Sequence, residues 1–408
     1  MTSLKEKLVQ SIKLIIRGGL IVLNDGLILF PVKKRRIVFE SFNGKDINDN
    51  PAAIYRQLVN SNSQYRETAY FSVKPSVYAD LVRQYPEIKI VKRFHLKWVF
   101  LMARSEFWVF NSRLPGWWKK NRDTRYLQTW HGTPLKKLAG DIATVAIPGT
   151  TTQQYHQDFA TEANRWDYLI APNPYSETIF RRAFKFHNEI LEIGYPRNDV
   201  LITQDRPDRV GELKLKLVGN DQATVILYAP TWRDDEAISE GRYQFDLPFD
   251  LARFFDHVSE DTVLVIRPHY LVRDRIDISG YEDRVKVLAD EDISDLYLIA
   301  DLLITDYSSV MFDYANLKRP MLFYAYDLEH YRDELRGFYF DYEEHVPGPL
   351  VTAEPALLKA LDEFTATGNF KAYRSKQRAF YEQFCCWEKG MASQAVVDLI
   401  HDKEREND

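Results

Sequence analysis

The chain has 408 residues, 45% of them hydrophobic and 14% aromatic, and a formal net charge of −5. That length exceeds one ordinary core and predicts two domains. Its two cysteines, adjacent at Cys385 and Cys386, exclude a four-ligand zinc site and a disulfide framework and indicate a reducing compartment. Residues 1–36 carry eight Lys or Arg against Glu6 and Asp25, a balance of +6 that leaves −11 elsewhere, so no broad basic surface for nucleic acid is implied.

From 8 to 30 the chain is rich in Ile, Leu and Val, but Lys13, Arg17, Asn24 and Asp25 interrupt it, and Lys33, Lys34, Arg35 and Arg36 follow. Charges at the centre of a spanning helix cost about 2.5–3.5 kcal/mol each. Gly18, Gly19 and Gly26 also weaken a continuous helix. The pattern predicts a segment over 1–35 that lies in the membrane interface, with the basic cluster toward anionic lipid of the cytoplasmic leaflet. The alternative is an amphipathic helix packed on the protein's own surface. No small-residue cleavage site follows, which argues against a signal peptide.

Strands are then predicted at 36–41, 68–72, 88–92, 106–111, 126–130 and 166–171, with helices at 51–60, 76–84, 95–104 and 174–184. A second series has strands at 224–229, 262–266, 285–287, 301–304 and 320–323, with helices between them and after 354. Such alternation predicts parallel sheets covered on both faces. Turn-rich and polar sequence over 195–222 suggests a hinge. The expected organisation is a membrane-interface segment (1–35), a Rossmann-like domain (36–200) and a second Rossmann-like domain with C-terminal helices (201–408). Two doubly wound domains facing a cleft suit a nucleotide-linked donor bound at the carboxyl ends of strands.

Three strand ends in the second half carry phosphate-suited groups. The apolar run Leu303-Ile304-Thr305 breaks at Asp306 into Tyr307-Ser308-Ser309, which places Ser308 and Ser309 in the first turn of a helix, a seat for phosphate or simply a good cap. Val263–Ile266 runs into Arg267-Pro268-His269, and Tyr228-Ala229-Pro230 into Thr231-Trp232-Arg233. Arginine's planar fork suits phosphate oxygens, although Arg267 could equally pair with an acidic residue. In the first half a strand ends at Trp130-His131-Gly132, giving an imidazole able to accept a proton near neutral pH or a hydrogen-bonded turn histidine. Asp234, Asp235, Asp306 and Asp313 suit capping, surface or ribose-binding roles better than a metal. The aromatic run 94–118 reads mostly as core, with Lys97, Arg104, Lys119 and Lys120 as alternative contacts for a lipid pyrophosphate. Neither a Gly-Lys-Ser/Thr phosphate loop nor a Gly-x-Gly-x-x-Gly fingerprint occurs, which disfavours kinase and dehydrogenase readings.

Taken in order, Phe39-Glu40-Ser41-Phe42-Asn43-Gly44, Asp49-Asn50-Pro51, Trp130 through Lys136, Ala229 through Arg233, Arg267-Pro268-His269, Thr305 through Ser309 and Lys318-Arg319-Pro320 resemble the CDP-glycerol glycerophosphotransferase family of teichoic-acid synthesis in Gram-positive bacteria. The resemblance implies a GT-B-like fold and a peripheral enzyme of the cytoplasmic membrane face. Its reaction would move glycerol phosphate, or ribitol phosphate, from a CDP-alditol to a polyprenyl-diphosphate-linked saccharide, releasing CMP. It further implies His131 as general base on the acceptor side and His269 beside it in the catalytic set. Arg233, Arg267, Ser308 and Ser309 would hold the donor phosphates, and Asp306 and Asp313 the nucleoside. Lys97, Arg104, Lys33, Lys34, Arg35 and Arg36 would meet acceptor and membrane, and no cofactor or obligatory metal is expected. The lack of the long extra N-terminal region of polymerizing members leads to the expectation of a primase or short-chain transferase. Two other classes stay open: a GT-B glycosyltransferase using a UDP-sugar, and a silent scaffold.

Overall fold

The computed structural model describes residues 4–145, 149–231, 237–239, 242–243, 247–268, 276–328 and 337–405. The chain forms two compact units: Met1–His131, Ala139–Arg197 and Met391–Asp408 in one, Gly132–Leu138 and Asn198–Gly390 in the other.

The first unit holds seven parallel strands: β1 (Lys33–Glu40), β2 (Ala69–Val73), β3 (Ile90–Lys92), β4 (Ser105–Phe110), β5 (Arg125–Gln128), β6 (Tyr168–Ala171) and β7 (Glu189–Glu192). Their order is β3-β2-β1-β4-β5-β6-β7. Chain direction through the sheet reverses between β1 and β4, the switch point where such sheets open a crevice at their carboxyl ends. Ile37, Val38 and Phe39 on β1 and every residue of β4 are buried, as strands covered on both faces must be. Helices α1 (Leu4–Leu27), α2 (Asp49–Ser61), α3 (Tyr65–Thr68), α4 (Tyr78–Gln84), α5 (Leu96–Ala103), α6 (Thr152–Ala163) and α7 (Pro174–Ala183) belong to this unit. Thr151 caps α6 through the Gln154 amide, and Asn173 with Pro174 starts α7. The C-terminal helix Ala392–Arg405 closes the unit, burying Val396, Val397 and Ile400 in the core of Ile54, Leu58 and Tyr65. Residues 391–408 thus fall in the first unit, whereas the simple division at residue 200 would put them in the second.

Among the described residues no helix is long and apolar enough to cross a membrane. Contrary to expectation, α1 is continuous through Gly18 and Gly19. Each glycine costs about 1 kcal/mol in a helix, and docking of the C-terminal half offsets that cost. There Leu20 and Asn24 are buried, Asn24 Nδ2 donates to the Lys119 carbonyl at 3.0 Å, and Asp25 pairs with Lys119 at 2.8 Å.

The second unit has β8 (Thr224–Ala229), a hairpin of β9 (Ala237–Ser239) and β10 (Arg242–Tyr243), then β11 (Thr262–Ile266), β12 (Val285–Val287), β13 (Leu302–Thr305), β14 (Met321–Tyr324) and β15 (Leu350–Val351). Apart from the hairpin these form one parallel sheet, β12-β11-β8-β13-β14-β15, with its switch point between β8 and β13. Helices α8 (Asp199–Thr203), α9 (Pro207–Val218), α10 (Leu251–Asp256), α11 (Ile293–Ile299) and α12 (Val310–Tyr314) follow, then Glu354–Thr367 and Arg374–Phe384. The stretch expected as a hinge contains α8 and α9: Pro207 starts α9, Gly219 at φ 83° ends it, and Lys214 Nζ reaches Asp301 at 2.8 Å.

Candidate active site

His131 follows β5 of the first unit, where Trp130 adopts φ 53° and turns the chain away from the sheet. Its ring stacks on the Trp130 indole at 4.4 Å and meets the Phe42 edge at 5.8 Å. Nδ1 lies 2.7 Å from the Asn111 carbonyl, just past β4. A carbonyl only accepts, so the proton sits on Nδ1, and Nε2 carries the lone pair. Burial pushes the His131 pKa below the ordinary imidazole value, against the Asn111 carbonyl and Asp49, which raise it; Arg197 lowers it further. The neutral base is therefore the resting form near pH 7.

The loops around His131 are tied across the switch point. Asn111 Oδ1 accepts from the Phe42 amide at 2.7 Å, and its Nδ2 donates to Asp49 Oδ1 at 3.1 Å. Asp49 Oδ2 accepts from Arg197 Nη1 at 2.7 Å, and that same nitrogen donates to the His131 carbonyl at 2.9 Å. Asn50 Nδ2 reaches the Trp130 carbonyl at 3.2 Å, while its Oδ1 takes the Arg197 amide at 3.0 Å. Phe42, Asn43 and Asp49 all have positive φ, and Gly44 at φ 77° is held where a Cβ would stand 2.9 Å from the Lys74 amide nitrogen. Backbone strain of this kind gathers at functional sites. Next to it, buried Glu40 accepts from Ser72 Oγ and pairs with Arg93 at 3.1 Å; desolvation raises its pKa.

In the second unit Ser308 and Ser309 follow β13 at that sheet's own switch point. The helix begins at Val310, after both serines rather than with them in its first turn, and Ser309 in the cap position makes no side-chain capping bond. Ser308 Oγ lies 3.4 Å from the Val310 amide. The segment Gly132–Leu138 is built in here: Leu135 accepts from the Tyr339 amide at 2.9 Å, and a Cβ on Gly132 would lie 3.2 Å from Ser309 Oγ. A side chain there would crowd the Ser309 hydroxyl. Asp306 is buried and accepts the Thr231 amide at 2.8 Å, bracing the two central loops. Asp313 is buried on α12 and accepts Asn198 Nδ2 at 3.0 Å, which also donates to Glu388 at 3.0 Å. Both aspartates thus brace loops of the second unit through one carboxylate oxygen each. Arg267 Nη1 donates to the Leu288 carbonyl at 3.0 Å; burial works against its charged form, and the charge of Glu291 favours it. Arg233 and His269, with Asp234 and Asp235, lie outside the described residues.

The basic candidates of the first unit divide in two. Arg104 lies over Phe30 and Phe100 at 5.7 and 5.8 Å, Arg36 over Phe100 at 5.7 Å, and Lys97 is exposed near Tyr70. Lys33 and Lys34 are exposed at the start of β1. Arg35 instead pairs with Glu404 at 3.5 Å and gives its amide to Glu106 at 2.7 Å. Asp49, Asn111 and Arg197 were not singled out in sequence, although Asp49 stands in a quoted motif.

A family model described as CDP-glycerol:poly(glycerophosphate) glycerophosphotransferase matches residues 25–402. The chain is 46% identical to a teichoic acid poly(glycerol phosphate) polymerase of Bacillus subtilis strain 168 over 92% of its own length, and spans half of that protein. It is 47% identical to a teichoic acid glycerol-phosphate transferase of Staphylococcus aureus, covering 90% of this chain and 93% of that one. A teichoic acid ribitol-phosphate primase of Bacillus spizizenii matches at 28% over 91% of this chain and 92% of that protein. Among solved structures, the wall teichoic acid polymerase TagF superposes with a TM-score of 0.87 at 41% identity, covering 98% of both chains. With the match spanning both switch-point sites, the chain belongs to the CDP-glycerol:poly(glycerophosphate) glycerophosphotransferase family.

Proposed function

We propose that this chain transfers glycerol phosphate from CDP-glycerol to the hydroxyl of a polyprenyl-diphosphate-linked acceptor in wall teichoic acid synthesis, releasing CMP. The observation that carries this reading is His131: its Nδ1 proton is fixed by the Asn111 carbonyl at 2.7 Å and its Nε2 lone pair is left for an incoming hydroxyl. The acceptor oxygen attacks the phosphorus next to glycerol and its proton passes to Nε2. The bond to the CMP oxygen breaks, and CMP leaves with the electron pair. Ser308, Ser309 and the amides that follow, with Arg233 and His269 at neighbouring strand ends in sequence, meet charge growing on the pyrophosphate. Those groups supply the neutralisation that a metal would otherwise give.

Glycerol rather than ribitol is favoured by the higher identity to enzymes named for glycerol phosphate, 46–47% against 28%. The expectation of a primase rested on length, which is a weak guide here: a relative spanned over 93% of its length is named simply a transferase. The enzyme works at the cytoplasmic face of the membrane. Support comes from Leu14, Ile15 and Ile16, exposed together on α1, and from Arg36 and Arg104 around Phe30 and Phe100.

CMP release from CDP-glycerol, CDP-ribitol and a UDP-sugar, each with a soluble acceptor analogue, tests the reading. Acceptor-dependent CMP from CDP-glycerol is expected; turnover with the UDP-sugar alone would replace it by a glycosyltransferase. Gel separation of products shows whether one unit or a ladder is added.

A further inference from the structure

We propose that Arg113 is an acceptor-phosphate site, its guanidinium holding the phosphate group next to the attacking hydroxyl. The proposal deepens the transferase reading above and rests on it for the identity of the acceptor.

Arg113 lies three residues past the end of β4, on the loop that also supplies the Asn111 carbonyl to His131. That loop is fixed on both sides, by the Asn111 bonds to Phe42 and Asp49 and by the Leu114 amide donating to Glu162 at 3.0 Å. The Arg113 guanidinium lies 4.2 Å from the Phe159 ring centre and 5.7 Å from that of Tyr155, both on α6. Phe159 meets the Trp130 ring at 6.2 Å, and Trp130 stacks on His131. Arg113 and His131 thus border one aromatic wall at the carboxyl edge of the sheet.

Among the described residues the Arg113 charge has no carboxylate to meet it beside the His131 loop. Arg93, Arg125, Arg165 and Arg197 in the same unit each hold a carboxylate: Glu40, Glu106, Glu162 and Asp49. Among the described residues Arg113 has neither an ion pair nor a hydrogen bond. The acidic group nearest in effect, Asp158, is exposed and accepts from Gln154. Burial works against its charged form, yet a guanidinium stays protonated at working pH. A half-buried cation without counter-charge is unfavourable, and aromatic faces offset only part of that. A phosphate anion supplies the missing charge and matches the planar fork.

The test replaces Arg113 by Gln and by Lys and measures KM for acceptor and for CDP-glycerol separately. Arg113→Gln is expected to raise acceptor KM about tenfold or more, the loss typical of one charge-assisted contact, with CDP-glycerol KM unchanged. Arg113→Lys recovers part of the loss. Wild-type acceptor KM should climb with salt, and that of the Gln variant should not. Comparing an acceptor ending in glycerol phosphate with one ending in a bare diphosphate-linked saccharide separates the two sources of phosphate. A penalty on the first alone assigns the terminal phosphodiester; a penalty on both assigns the diphosphate. Calorimetric binding of glycerophosphoglycerol gives a readout without turnover: if wild type releases no CMP but Arg113→Gln abolishes this binding, the transferase reading fails and the site stands. Unchanged acceptor KM and phosphodiester binding in a Gln variant that melts like wild type, or a rise in donor KM instead, would overturn the proposal. Should the Gln variant lose its cooperative melt, Arg113→Lys decides by the same comparison.

Discussion

At the residue scale the site depends on one proton held on one nitrogen. The charges reaching His131 are Asp49, which favours the imidazolium, and Arg197, which opposes it. A base acts above its pKa, and that of His131 is already depressed, so the acid limb of kcat should lie below the ordinary imidazole value of about 6.5. Asp49→Asn removes the group that raises the pKa and should move the limb to lower pH. Arg197→Gln removes the group that lowers it and should move the limb upward. Opposite displacements in pH profiles identify an electrostatic role; equal losses without displacement would reduce the Asp49–Arg197 pair to a structural brace. His131 itself was legible because Trp130-His131-Gly132 ends a recognisable strand. Its supports were not, since Asp49, Asn111 and Arg197 meet only once β1, β4 and the 195–198 turn are assembled. Arg113 stood within a run of aromatic residues read as core, and nothing in sequence tells that it lacks a carboxylate.

At the element scale, strand–helix alternation located most of the two sheets, and β8, β11 and β12 fall where apolar runs placed them. The missed elements share a physical cause. Strand β7 is a half-buried edge strand with Glu at both ends, and α6 opens with Thr152, Gln153 and Gln154 and buries little beyond Phe159, Glu162 and Ala163. Neither carries a clear period. The C-terminal helix was expected as helix, but its docking on α2 depends on tertiary contact. Ile400, fully buried there, should cost about 2–4 kcal/mol on truncation to Ala. Chemical denaturation would show this as a lowered midpoint of the first unit's transition; an unchanged midpoint would detach the helix from that core.

At the scale of the whole molecule, charge and exposed apolar surface coincide. The N-terminal 36 residues carry a balance of +6 in a chain of −5, and they include the exposed Ile12, Leu14, Ile15 and Ile16. Basic residues near an anionic leaflet contribute about 1 kcal/mol each, and apolar insertion adds to that. Sedimentation with phosphatidylglycerol vesicles should carry the protein down at low salt. Replacing Leu14, Ile15 and Ile16 by Ser should leave it in the supernatant with its melting temperature unchanged; retained co-sedimentation would move the membrane contact elsewhere. Under the proposed reaction, donor binding and turnover have separate readouts, and together they test the chemistry. The most direct measurement is acceptor-dependent CMP release from CDP-glycerol by wild type and His131→Ala, alongside calorimetric binding of CDP-glycerol. Turnover should fall at least about 100-fold, as loss of a general base implies, while CDP-glycerol affinity is kept. A His131→Ala enzyme with near-normal turnover would contradict the account.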